Sequence, residues 1–268
     1  MAHPHRTRIL SIETAKARPD HPAIAEAAAI LRAGGLVAFP TETVYGLGAD
    51  ATNPEAVARI FEAKGRPPRN PLIVHADGLE MAKTCVRDRD DWMTPLSKSW
   101  WPGPLTLVLY RSAIIPDAVT AGLPTVGIRV PAAPIARALF SALGRPVAAP
   151  SANRSSGISA TTAAHVLKDL DGRIDLILDG GPTEVGIEST IVDLTRHYPR
   201  LLRSGPVSIY DLIVKSGLSI WPGRPDPLEE QDPLPSPGQM RVHYAPRTRT
   251  YWVEPSLIGR YYLEGRGA

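Results

Sequence analysis

The chain has 268 residues, 43% hydrophobic and 21% charged, which predicts a soluble globular protein with one large domain or a large and a small one. No apolar run approaches the roughly 20 residues of a membrane helix, and the N-terminus MAHPHRTRIL lacks the apolar core of a signal peptide. A single cysteine, Cys85, excludes a disulfide framework and thiolate metal sites, and predicts a reducing, cytoplasmic setting.

The net charge of +3 is too mild for a dedicated nucleic-acid binder and suits anionic small ligands as well as RNA. Only six of the 30 basic side chains are lysines, which draws notice to Lys64 near a loop.

In chain order, residues 7–12 predict an edge strand and residues 23–32 an alanine-rich helix stopped by Gly34-Gly35. Residues 36–40 predict a buried strand. A polar cluster follows it: Thr41, Glu42, Thr43, Tyr45 and a Gly-x-Gly turn at 46–48. Asn53-Pro54-Glu55 opens a helix with a cap, a proline at its first position and an acid in its first turn. That helix stops at Gly65, and residues 72–75 form the next strand, ending in His75.

Further on, residues 90–101 predict a helix leading through WPGP into a strand. Strands follow at 125–130, 146–149, 174–178, 189–194 and 200–203, and helices at 135–143, 161–170 and 209–216. The alternation predicts an α/β fold: a twisted, open, mixed sheet, parallel and antiparallel, with helices on its faces. Residues 221–238 are proline- and acid-rich without periodicity and predict a linker or lid. The expected organisation is one large domain at 1–218, which the resemblance given below makes the catalytic one, a linker or lid at 219–246 and a short tail at 247–268.

The chemistry implied is phosphate neutralisation and substrate alignment. Ligands of such folds bind at strand ends, and the polar cluster stands at one. The Gly-x-Gly lacks dinucleotide-fingerprint spacing, and no Walker A lysine motif exists. Phosphate would fall to Lys64, Arg66, Arg129, Arg203 and the Ser151–Asn153 loop.

Each has an ordinary reading too. Arg129, in an otherwise apolar strand, needs a carboxylate, either structural or from a ligand. Arg203 could be a surface arginine, His75 a satisfied core histidine, PSAN a proline turn, and Cys85 a small buried hydrophobe. No Ser-His-Asp order, no Cys nucleophile beside a histidine and no metal-binding His spacing is evident. Nucleotidyl transfer needs little beyond alignment, cations and magnesium.

PTETVYGLG, KGRPPRNPLIVH, WPGPLT, TVGIR, AAPSAN, GIEST and LLRSG stand in the order and spacing of the YrdC-type threonylcarbamoyl-adenylate synthases, which residues 10–215 resemble. SPGQMRVHYAP is similar to the linker of the long form of that family, whose C-terminal domain this sequence is too short to contain.

The resemblance implies the synthesis of threonylcarbamoyl-AMP and pyrophosphate from L-threonine, bicarbonate and ATP. Mg2+ would be held mainly by ATP, with no metal ligand assigned to the protein. Downstream proteins would transfer the group to tRNA. A weak RNA contact is also expected, and no membrane.

By motif, the resemblance places Thr43, His75, Arg129, Ala149 and Ser189 around threonine, with Arg129 pairing its carboxylate. It places Arg66, Asn70, Thr125, Ser151, Asn153, Ser159 and Arg203 on ATP, with Tyr244 of the linker closing over the nucleotide. Lys64 and Arg66 would be catalytic, Lys64 facing the phosphates or the carboxylated threonine. Ile187 stands where the family has valine, and Ser204 where it has proline.

Two alternatives stand beside this reading. One is a carbamoyl-adenylating enzyme of the same fold, which belongs in a much longer chain with zinc fingers that one cysteine cannot build. The other is a non-catalytic module for double-stranded RNA, which would have no reason to keep Lys64, Arg66, PSAN and GIEST together.

Overall fold

The structure is a computed structural model and describes residues 6–87, 93–222 and 234–237. In chain order these form β1 (Arg8–Ser11), α1 (Pro22–Arg32), β2 (Val37–Pro40), β3 (Tyr45–Asp50), α2 (Pro54–Lys64), β4 (Ile73–His75), α3 (Leu79–Thr84) and α4 (Met93–Trp100). There follow β5 (Leu105–Tyr110), α5 (Asp117–Thr120), β6 (Thr125–Arg129), α6 (Pro134–Leu143), β7 (Val147–Ala148) and α7 (Ala163–Leu170). The last are β8 (Leu176–Asp179), β9 (Thr190–Asp193), β10 (Arg200–Arg203), α8 (Ile209–Ser216) and β11 (Trp221–Pro222).

The strands make one open sheet in the order β1-β8-β2-β3-β7-β4-β6-β5-β9-β10-β11. Its pairings are mixed: β4 and β6 run parallel, as do β5 and β9, whereas β2–β3, β3–β7 and β5–β6 are antiparallel. The α/β expectation holds.

Both faces are covered, and the strands show it residue by residue. Val37 and Phe39 belong to the core under α1 and α6, while Leu36 and Ala38 belong to the core on the opposite face with α2 and α7. The same split separates Leu176 and Leu178 from Ile177, and Val147 and Ala149 from Ala148. Alternation at period two with helices on each side explains why these strands read as continuous apolar runs.

The Gly-x-Gly turn is corrected. Residues 45–50 are strand β3, paired antiparallel with β2 so that Phe39 faces Gly46. A Cβ at Gly48 would lie 2.7 Å from Phe39 Cε1 and 2.9 Å from Val147 Cγ1, and one at Gly46 would lie 3.3 Å from the same ring. The glycines therefore make room for an aromatic ring rather than bend the chain.

Helix α2 begins as expected: Asn53 Oδ1 accepts from Glu55 N at 3.0 Å and Ala56 N at 3.2 Å. It ends at Gly65, whose φ of 62° is left-handed, so Lys64 is its last residue. Helices α3 and α5 were not predicted; at six and four residues they are too short for a 3.6-residue period to register. Cys85 caps α3 and is fully buried, as expected of a small hydrophobe. The proline-rich stretch contributes β11, beside β10, and Leu234–Pro237, whose Leu234 N donates to Arg69 O at 3.1 Å.

No helix among the described residues is long and apolar enough to cross a membrane.

Candidate functional site

The ends of β2, β4 and β6 and the loops around them line an open cleft. Its walls include Thr41, Thr43, Arg66, His75, Arg129, Ala149, Ser151, Glu188, Ser189, Arg203 and Pro237. Segments more than a hundred residues apart meet here because β4 pairs with both β6 and β7. His75 lies opposite Arg129 in one ladder and opposite Val147 in the other.

The PSAN loop continues along β3: Leu47 N donates to Pro150 O at 2.8 Å and Ala152 N to Tyr45 O at 2.7 Å. Thr41 is tied to Thr43, Oγ1 to Oγ1, at 2.8 Å, which fixes both hydroxyls.

Two arginines are gripped in parallel ways. Arg129 donates to Glu42 Oε1 at 2.7 Å, Thr43 Oγ1 at 2.9 Å and Gly103 O at 3.2 Å. Arg203 donates to Glu188 Oε2 at 2.5 Å, Ser189 O at 3.0 Å, Ser189 Oγ at 3.1 Å and Pro237 O at 3.3 Å. Each holds a carboxylate and the hydroxyl of the next residue in sequence. The structural carboxylate open for Arg129 is thus present, and it is Glu42.

Arg66 is buried with its planar group on backbone carbonyls, Nε to Asn70 O at 3.0 Å and Nη2 to Pro71 O at 2.8 Å. Burial, and secondarily Arg129, push the His75 imidazole down to about 3, so it is neutral at pH 7. Its Nδ1 is buried without a hydrogen-bond partner. Burial also lowers the Arg129 guanidinium, and Glu42 opposes that shift.

Of the expected site residues, Thr43, Arg66, His75, Arg129, Ala149, Ser151, Ser189 and Arg203 share this cleft. Lys64 does not line it. Its Nζ donates to Ser151 O at 2.6 Å and Asn153 O at 2.5 Å, clamping the PSAN loop from behind. As the last residue of α2, Lys64 is carried beneath that loop rather than toward the opening. Burial, then the neighbouring Arg66, pull its ammonium down to about 7.

Asn153 ends that loop, its amide turned away to donate to Arg154 O and Gly157 O at 2.8 and 3.0 Å. Ser159 stands one layer out, its hydroxyl 2.9 Å from Glu188 Oε1. Asn70 is fully buried with both side-chain polar atoms unpartnered. Thr125 lines a neighbouring cavity together with Pro235, Ser236 and Pro237. Tyr244 lies outside the described residues.

Glu42 and Glu188 were not assigned roles from sequence, although each directly precedes a hydroxyl residue that was. The carboxylate-hydroxyl pairs Glu42-Thr43 and Glu188-Ser189 were the available signal.

The turn after Arg203 is packed without slack. A Cβ on Gly205 would lie 2.4 Å from Thr190 N, 2.6 Å from Glu188 O and 2.7 Å from the carbonyl carbon of Ser189. Gly205→Ala must therefore push the backbone of 188–190 away. Thermal denaturation should show a loss of about 1–3 kcal/mol, accompanied by lowered turnover because Ser189 moves with that backbone. A variant as stable and active as the parent would show that the turn adapts freely.

Three arginines, small hydroxyls and a neutral imidazole make a site that aligns anionic substrates. Cys85 supplies no thiolate: it is not on the cleft wall, and burial raises its thiol to about 11. Among the described residues, no group of three or more His, Cys, Asp or Glu side chains could hold a metal ion.

The Sua5/YciO/YrdC family, described as telomere recombination, matches residues 29–205. The chain is 45% identical over 251 residues to a threonylcarbamoyl-AMP synthase of Pyrococcus abyssi, covering 90% of this chain and 73% of that protein. It is 47% identical over 253 residues to the Bacillus subtilis enzyme of the same name, covering 91% and 72%. The crystal structure of P. abyssi Sua5 in complex with L-threonine superposes with a TM-score of 0.84 at 42% identity, over 97% of this chain and 78% of that one. The chain belongs to the YrdC/Sua5 family of threonylcarbamoyl-AMP synthases.

Proposed function

We propose that the cleft is where this synthase holds L-threonine beside ATP to make threonylcarbamoyl-AMP, the activated group used for threonylcarbamoyladenosine in tRNA. The observation that carries this reading is the convergence of Thr43, Arg66, His75, Arg129, Ala149, Ser151, Ser189 and Arg203 on one cleft.

Arg129 pairs the threonine carboxylate, with Thr43, Ser189, His75 and Ala149 around the rest of the amino acid. Arg66, Ser151 and Arg203 face the nucleotide, and Thr125 and Ser159 flank it. Lys64, with Asn153, holds the PSAN loop in shape, and Asn70 packs against the nucleotide side.

The amine of threonine adds to the carbon of bicarbonate, with loss of water, to give a carbamate. A carbamate oxygen then attacks the α-phosphorus, and pyrophosphate leaves. The protein contributes no nucleophile; it orients the two reactants and offsets phosphate charge with guanidinium groups. A neutral His75 can accept or donate a hydrogen bond without adding charge. Mg2+ would travel with the phosphates of ATP: Glu42 and Glu188, the carboxylates nearest the cleft, are each tied to an arginine and do not form a metal cage.

Residues 1–218 act as the catalytic domain and 219–246 as a linker whose Pro237 carbonyl reaches Arg203. Proteins that move the threonylcarbamoyl group to tRNA consume the product.

The test is pyrophosphate release from ATP with substrates left out in turn. Release should require both L-threonine and bicarbonate. Equal release without threonine would remove the reading.

A further inference from the structure

Thr41 and Thr43 line the cleft, whereas Glu42 between them does not. It lines a neighbouring pocket on the other side of Thr41, together with Ala132, Pro134, Thr183 and Glu184. The backbone of the segment is fixed from outside: Val185 N donates to Glu42 O at 3.0 Å and Gly186 N to Thr43 O at 2.9 Å. Glu42 is thus held facing away from the substrates. Its side chain is 10% exposed and that of Arg129 5%.

From the rear, the Glu42 carboxylate makes two contacts. Oε1 accepts from Arg129 Nη2 at 2.7 Å, and Oε2 accepts from Ala132 N at 3.1 Å, just ahead of α6. Helix α6 has no side-chain cap of its own, so this carboxylate also sits at the favourable end of the helix dipole.

Of the five N–H groups of a guanidinium, Arg129 spends three on Glu42, Thr43 and Gly103. The remaining two belong to the terminal nitrogens. A carboxylate inside the cleft would compete with substrate for them; one behind the wall fixes the fork and leaves them to the ligand. Glu188 differs, since it lines the cleft itself beside Arg203.

We propose that Glu42 is a positioning residue that sets the aim of Arg129 at the threonine carboxylate from behind the cleft, and ties that aim to the start of α6. This rests on the assignment of Arg129 to threonine made above. Glu42 touches no substrate, so its removal acts on threonine and leaves the nucleotide side alone.

Glu42→Gln is the discriminating change. An amide keeps the shape but has one acceptor atom. It either faces its NH2 to Ala132 N–H or turns it to Arg129, and loses a contact both ways. Steady-state pyrophosphate release by the full chain is measured with threonine varied at saturating ATP, and with ATP varied at saturating threonine.

For Glu42→Gln, the threonine KM should rise about tenfold, the scale of one hydrogen bond to a charged group, while the ATP KM stays within about twofold of the parent. Glu42→Asp keeps the charge at shorter reach and should fall between. A threonine KM within about twofold of the parent, or equal rises for both substrates, overturns the proposal.

Arg129→Lys separates the two levels. If it raises the threonine KM while Glu42→Gln does not, the positioning role is wrong. If neither does, the assignment of Arg129 to threonine is wrong as well. Should Glu42→Gln not fold, Glu42→Asp is judged by the same criterion: a threonine-selective rise supports the role, and its absence overturns it.

Discussion

Lys64→Met is expected to lower kcat/KM about 100-fold or more while the fold survives by circular dichroism. The methionine fills the same space but cannot donate. The carbonyls of Ser151 and Asn153, now 2.6 and 2.5 Å from Nζ, would lose their donor in a buried setting. Each unsatisfied acceptor costs about 1–3 kcal/mol, and the PSAN loop recovers this only by shifting toward water. Because Pro150 and Ser151 form part of the cleft wall, the shift reaches the substrates. An unchanged kcat/KM would mean that the pairing of the loop with β3 suffices to hold it.

The same residue gives a pH signature. Its ammonium is pulled down to about 7 by burial and then by Arg66, against about 10.4 in an unfolded chain. Between those values the unfolded chain binds the extra proton. Stability rises with pH wherever the unfolded state binds more protons. The contribution of Lys64 is therefore gained as pH rises from about 7 to about 10, complete above the unfolded value, and lost as pH falls back toward 7. Urea unfolding at pH 7 and 9.5 should show the parent gaining on Lys64→Met at the higher pH. A constant difference would show that Lys64 keeps an ordinary proton affinity.

The second large effect is expected at Arg203. Its guanidinium joins Glu188, both oxygens of Ser189 and the Pro237 carbonyl, so it ties the GIEST turn to the proline-rich segment. Truncating one member of a buried, hydrogen-bonded charge pair costs about 2–5 kcal/mol, partly because the partner is left unpaired. Arg203→Ala should therefore lower kcat/KM by about 10²–10³, with the Glu188 carboxylate losing its arginine at the cleft wall. Arg203→Lys should recover little, since a point charge cannot reproduce a fork that meets four acceptors. If lysine restores near-parent kinetics with ATP and threonine, charge alone is what the site takes from this position.

Much of the site was legible from the chain because its parts are local motifs. A cap, proline and acid at 53–55 announce α2, and Gly65 ends it. Short apolar runs followed by polar residues mark the strand ends where Thr43, His75 and Arg129 stand. The family resemblance rests on such segments, each readable by itself.

The rest was not legible because it depends on what lies across a gap. Gly46 and Gly48 look like a turn until Phe39 is seen lying over them. Lys64 reads in sequence as a cation near a loop, and only the structure shows its ammonium on the carbonyls of Ser151 and Asn153. Glu42, flanked by two cleft hydroxyls, gives no sign in sequence of which way it faces.

The segment that joins β2 to α2 thus divides into two kinds of information. The sequence by itself determined most of the longer elements, the mixed α/β class and which polar residues stand at strand ends, because periodicity and capping act over a few residues. Only the tertiary structure decided which of those residues share a cleft, which clamp its loops and which hold an arginine from behind. Those roles depend on strand order, which sets β4 between β6 and β7 from distant parts of the chain.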